Sequence, residues 1–203
     1  FQAEDGIRDK QICLVGSEMC IRDSNEATVR LTAEICDGLL PLGLTPSSAH
    51  EYRPWIEEGF ARANKKGITK SFDNFDVTAS VHVDINDDVK AALAKLKPEV
   101  ALYVGGMGHR SKNFHKVMMN RRGFGDAAGR IQELYLAGRK QEATDAVPDE
   151  WVDEKSLVGP PERIKQRFQR WAEIDIVDSV YIRTTQDAAV DLMAEAAGLV
   201  APA

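Results

Sequence analysis

From residue 77 to residue 85 the chain alternates without a break, with Val77, Ala79, Val81, Val83 and Ile85 on one side and Thr78, Ser80, His82 and Asp84 on the other. A period of two predicts a strand with one apolar face. Its polar face either meets water or points into the partly polar interior of a barrel, and the alternation alone does not choose between them. Two further runs read as strands: 38–43, a short apolar stretch between glycines, and 179–183. Helical spacing fills the rest. It predicts helices over 26–36, over 51–64 after turn and cap chemistry at Thr45 to Ser48, and over 89–104 after the cap Asn86-Asp87-Asp88. Pro98 is expected to begin a second segment there, and Gly105-Gly106-Met107-Gly108 to end it. More helices follow at 113–120, 126–137 and 141–146, a short one from 147–150, then 160–172 and 187–197.

Strands separated by helices imply parallel pairing with right-handed crossovers. The helical tract between the second and third strands exceeds an ordinary crossover and reads as an insertion over one end of the sheet. Three strands are too few for a closed eight-stranded barrel, which takes about 250 residues. An open three-stranded α/β domain stays open as an alternative. Were the strand at 38–43 left without neighbours, its apolar edge would invite association, so residues 25–203 alone are expected to aggregate or to be partly molten.

The opening run 1–24, FQAEDGIRDKQICLVGSEMCIRDS, resembles translated sequencing-adapter DNA carried on reading frames from environmental samples, and is set apart from the fold reading. Arg8, Asp9 and Lys10 interrupt any apolar stretch in it, so it lacks the pattern of a signal peptide. No other part of the sequence has an apolar run long enough to span a bilayer, and a soluble, non-membrane protein is expected. Two of the three cysteines, Cys13 and Cys20, lie in that run; Cys36 alone cannot build a disulfide framework, which suits a reducing cytoplasm. Setting the run aside, with its three basic and five acidic residues, moves the net charge from −6 to −4. The basic groups around Arg163, Lys165, Arg167 and Arg170 are interleaved with Glu162, Glu173 and Asp175, so no nucleic-acid partner is expected. His50, His82, His109 and His115 share no ligand spacing, and no metal site is expected.

Several ordered segments carry a family resemblance: Leu31-Thr-Ala-Glu-Ile-Cys-Asp-Gly-Leu-Leu-Pro-Leu42, Ala101-Leu-Tyr-Val-Gly-Gly-Met-Gly108 with Lys112-Asn113-Phe114, Ile131-Gln-Glu-Leu-Tyr-Leu-Ala-Gly-Arg-Lys140, Val147-Pro-Asp-Glu150 and Leu157-Val-Gly-Pro-Pro-Glu-Arg163. Together they resemble the luciferase-like monooxygenase family, in particular its deazaflavin (coenzyme F420)-dependent oxidoreductases. The resemblance implies that residues 25–203 are the C-terminal part of a (β/α)8 TIM barrel. It implies a flavin or deazaflavin at the C-terminal strand ends, with coenzyme F420 expected ahead of FMN, a small-molecule substrate, and a homodimer at full length. Hydride transfer or oxygen activation is then the cofactor's chemistry, so the lack of a catalytic triad is no objection. A noncatalytic α/β binding or interaction module is the alternative.

In the family a glycine-containing turn and the next helix N-terminus hold the cofactor phosphate, a sound use of free N–H groups and the helix dipole. Only Asn25 and Thr28 can match the distal part of that element, and an ordinary N-cap is the other reading of Asn25. The substrate side is expected from residues that end strands or follow them: Asp84, Gly105, Gly106, Gly108, Lys112, Asn113, Arg183 and Thr184. The glycines would admit an anion to the backbone, Lys112 would add charge, and Asn113 a directed hydrogen bond.

Overall fold

The computed structural model describes residues 25–107 and 113–200, and these fall into two compact units, 25–80 with 175–181 and 81–174 with 182–200. In the first unit Asn25 caps α1 (Glu26–Ile35), its Oδ1 accepting the Thr28 N–H at 3.0 Å. α1 packs on α2 (Ala49–Lys65) through Val29, Ala33, Tyr52, Ile56 and Phe60, all buried. The contact is backbone-close at Gly59, where a Cβ would lie 2.4 Å from the Arg30 carbonyl oxygen and 2.5 Å from the Ala33 Cβ. Phe60 meets Phe72 and Phe75 edge-on, each at 5.2 Å, which fixes the approach to the first half of β2 (Asp76–Ile85).

The strand expected over 38–43 is shorter than the apolar run suggests. β1 is Gly38–Leu39, pairing in parallel as Gly38 with Asp76 and Leu39 with Val77. Pro41 has no N–H to give a ladder, so the chain leaves the sheet there. Leu39 and Leu44 are buried, and of this run Leu42 is the leucine that is exposed. The long apolar edge on which expected aggregation rested is therefore reduced to two residues. Ser48 also differs from expectation: its Oγ accepts the Thr45 N–H at 3.0 Å instead of capping α2.

The second unit takes up the rest of β2, whose apolar side chains Val81 and Val83 are buried while His82 and Asp84 are half-buried. Asp88 caps α3 (Val89–Gly106), its Oδ1 accepting the Ala91 N–H at 2.9 Å. α3 runs unbroken through Pro98, where two segments were expected, because both of its ends are packed into one apolar core by Ala92, Leu93, Ala101 and Val104. Four more helices join that core: α4 (Phe114–Arg121), α5 (Gly125–Leu136), α6 (Lys140–Asp145) and α7 (Asp149–Glu154). Met118, Met119, Ile131, Trp151 and Val152 are its interior.

A strand missing from the three-strand reading follows. β3 (Ser156–Gly159), buried along its length, lies parallel to β2 with His82 opposite Ser156 and Ile85 opposite Gly159. α8 (Pro161–Ala172) buries Ile164, Phe168 and Trp171; β4 (Ser179–Arg183) pairs with β2; and α9 (Asp187–Ala196) is tied to α8 by Lys165 and Glu195 at 2.7 Å. The architecture is α/β, with parallel pairs around β2 and a five-helix tract between β2 and β3. Among the described residues no helix is long and apolar enough to cross a membrane.

Candidate functional site at the ends of β2 and β4

The polar face of β2 delivers His82 and Asp84 to one end of the second unit, and β4 delivers Arg183 to the same surroundings. Asp84, largely buried, accepts a hydrogen bond from Lys95 Nζ at 3.2 Å. Arg183, about half exposed, faces Glu99 of α3 at 3.8 Å. A guanidinium ending a strand calls for an acidic partner or a ligand, and Glu99 stands as an acidic neighbour. Burial first, then the charge of Arg183, holds the His82 imidazole below its usual range, against the opposing pull of Asp84 and Glu99.

Behind this rim the helical tract contributes groups that no strand pattern announced. Lys155, the residue that ends α7, has its ammonium 5.3 Å from the centre of the Trp151 ring, and the Arg122 guanidinium lies 5.8 Å from the same ring. Burial lowers Lys155 to about 8; Arg122 and Arg183 add to that, and Glu99 opposes it. His115 packs between Tyr103 at 4.7 Å and Phe114 at 5.2 Å. Its Nε2 is buried without a hydrogen-bond partner, and burial with the nearby Lys155 charge lowers its pKa to about 4. The arrangement can receive a polar, negatively charged group beside aromatic surfaces.

Other expected site residues have different employment. Gly105 and Gly106 belong to the last turn of α3, not to a loop. A Cβ at Gly105 would sit 2.3 Å from the Tyr135 Cβ, and one at Gly106 2.6 Å from the Tyr135 ring, so both glycines serve the close approach of α5. Asn113 is buried and caps α4: its Oδ1 accepts the Lys116 N–H at 2.9 Å, while Nδ2 donates to the carbonyls of Tyr103 at 3.0 Å and Val104 at 2.8 Å. The directed hydrogen bond expected toward a ligand goes instead to the protein's own backbone. Gly108 and Lys112 lie outside the described residues.

Thr184 turns the chain after β4, its Oγ1 accepting the Gln186 N–H at 3.1 Å. Gln186 in turn clasps Ile85, accepting its N–H at 2.7 Å and donating to its carbonyl at 3.1 Å. This amide imitates a ladder partner and fixes the ends of β2 and β4 beside each other. In the first unit, Asn25 and Thr28 bond to each other, and Glu26 puts a carboxylate in the first turn of α1.

A family model for luciferase-like monooxygenases matches residues 24–177. A Mycobacterium tuberculosis protein named as a coenzyme F420-dependent oxidoreductase is 37% identical over 166 residues, 82% of this chain and 47% of that protein. Among solved structures, the coenzyme F420-dependent tetrahydromethanopterin reductase of Methanopyrus kandleri is similar with a TM-score of 0.63 at 23% identity, over 84% of this chain and 47% of that one. An F420-dependent secondary alcohol dehydrogenase, solved with an F420–acetone adduct, gives 0.52 at 14% identity, over 77% and 40%. The chain thus spans about half the length of the curated relative it matches. The structural likenesses bear on the fold, and place its parallel strands and helices with the (β/α)8 barrels, of which they form a part.

Proposed function

The chain belongs to the luciferase-like monooxygenase family, and we propose that it forms part of an oxidoreductase that passes a hydride between coenzyme F420 and a small-molecule substrate. The substrate side lies at the ends of β2 and β4. What carries this reading is the half-buried polar group of His82, Asp84 and Arg183 at those strand ends, the face on which barrels of this kind place their chemistry. The F420-dependent names of the 37% identical relative and of two structural neighbours support the choice of cofactor.

The start of α1 does not fit the cofactor phosphate as it stands. The Thr28 amide is already taken by Asn25, and Glu26 would repel an anion at the helix end. A phosphate role for Asn25 and Thr28 requires the Asn25 side chain to turn away, so no step is assigned to them. When bound, such a cofactor supplies the hydride. The chain's own residues orient the substrate: Arg183 fixes charge, and Asp84, held by Lys95, offers a hydrogen-bond acceptor at the strand end.

Fluorescence anisotropy of F420 titrated with the protein tests the reading. Saturable binding is expected, largely unchanged in Asp84→Asn because Asp84 lies on the substrate side. A folded full-length protein containing these residues that leaves F420 free points to the noncatalytic binding module instead.

A further inference from the structure

β4 carries no side chain that fixes how it sits against β2. Its residues alternate between exposed and half-buried, and none is buried. A strand without a buried face has a weakly specified register, and a slip of one residue turns every side chain to the opposite face. Such a slip would carry Arg183 away from Glu99, its neighbour at 3.8 Å.

The register is supplied from beyond the strand. β4 stops at Arg183, and the side chain of Gln186 reaches Ile85, where Oε1 accepts the N–H at 2.7 Å and Nε2 donates to the carbonyl at 3.1 Å. One amide thus occupies both backbone groups of Ile85, which takes a donor and an acceptor together. Thr78 stands beside Ser179, Oγ1 to Oγ at 2.8 Å, at the same offset in sequence as Ile85 and Gln186, so the strands run the same way and His82 falls beside Arg183. Gln186 is also the first residue of the turn into α9, a position where a short side chain usually bonds back to the helix. It makes no such cap bond; its N–H is held by Thr184 and its side chain is given to Ile85. Ile85 in turn adjoins Asp84, whose carboxylate accepts from Lys95 Nζ at 3.2 Å.

We propose that Gln186 is a positioning residue for the substrate side of the site: its clasp on Ile85 sets the register in which Asp84 and Arg183 face substrate together. What those two charges do rests on the proposed function; where they stand rests on hydrogen bonds that involve no cofactor. The clasp also predicts its own chemical signature. In Gln186→Glu a protonated carboxyl keeps both bonds, since its carbonyl accepts and its O–H donates, whereas the carboxylate only accepts and sets an oxygen against the Ile85 carbonyl.

Amide hydrogen exchange of Ile85 and the ring titration of His82, both followed by NMR in the full-length protein containing these residues, test the assignment. The His82 signal is identified by its loss in His82→Gln. Protection of the Ile85 amide, taken against its intrinsic exchange rate at each pH, should fall about tenfold in Gln186→Met. In Gln186→Glu it should match the parent below the carboxyl pKa and fall about tenfold above it, a rescue that lost packing could not give. His82 is held below its usual range by burial first and Arg183 next, with Lys95 adding and Asp84 and Glu99 opposing. A loosened register takes Arg183 away and admits water, so the His82 titration should move up toward about 6.5 in Gln186→Met. Ile164→Val, which loosens the core under α8 instead, should leave it in place. If Gln186→Met does not fold, Gln186→Asn, an amide one carbon too short to reach both groups, takes its place. Neither measurement involves F420, so failure here and failure of the F420 reading are told apart. Ile85 protection unchanged in Gln186→Met, or independent of pH in Gln186→Glu, overturns the clasp. Lowered Ile85 protection with an unmoved His82 titration makes the bond purely structural and overturns the positioning role.

Discussion

His115 shows how a single buried ring couples this site to pH. Its pKa is lowered from about 6.5 unfolded to about 4 folded, by burial first and the Lys155 charge second. Above pH 6.5 the ring is neutral in both states and contributes no pH dependence. Between 6.5 and 4 the unfolded chain takes up a proton that the folded chain refuses, so stability is lost as pH falls; below 4 the loss is complete, at up to about 3 kcal/mol. His82 is shifted in the same direction. The unfolding free energy should therefore fall less between pH 7 and pH 4 in His115→Phe than in the parent, by about 2 kcal/mol after allowance for relaxation. A His115 ring that titrates near 6.5 by proton NMR would contradict its burial. Arg183 is the residue to test kinetically. In the active full-length protein Arg183→Ala should lower kcat/KM about tenfold, roughly 1.4 kcal/mol, with little change in stability because its bond to Glu99 is long and half exposed.

At the level of elements, the contact of α3 with α5 rests on two glycines whose substitutions should part ways. Gly to Ala gains about 1 kcal/mol of helix propensity. At Gly105 that gain is outweighed, because the added carbon lies 2.3 Å from the Tyr135 Cβ, an atom tied to the backbone, and overpacking of this kind costs about 1–3 kcal/mol. At Gly106 the clash is with the ring edge, which can swing aside. Urea unfolding should show Gly105→Ala destabilised by about 1–2 kcal/mol and Gly106→Ala near neutral; equal effects would refute the geometry. The same helix marks where sequence reading succeeded and where it stopped. β2 and β4 were legible because alternation is a local property, and so were the α1 and α3 caps at Asn25 and Asp88, whereas Asn113, the α4 cap, had been expected to face a ligand. β3 was not: Leu157 and Val158 between a serine and a glycine are too few to show a period, and its strand character comes from pairing with β2. Asp84 and Arg183 could be proposed for the site from their position at strand ends. Lys155, His115 and Glu99 could not, since they arrive from three helices whose patterns record only their shared core.

For the whole molecule the choice of cofactor is set by its site and not by the barrel architecture, which supports several chemistries. A deazaflavin ring carries carbon where a flavin carries nitrogen at the reactive position, so it passes hydrides but does not activate oxygen, whereas reduced FMN does both. The surroundings of Trp151, with charged groups at one indole and an unsatisfied imidazole near them, suit the binding of a polar substrate for hydride exchange. The proposed function makes the same choice of cofactor. Titrating the full-length protein with F420 and with FMN, each followed by its own absorbance change, should give F420 an affinity at least about ten times the higher, a difference of about 1.4 kcal/mol. Reduced cofactor and protein together should then consume no oxygen. Tighter binding of FMN, with oxygen uptake on reduction, would reverse the assignment and move the chain to the oxygen-activating branch of its family.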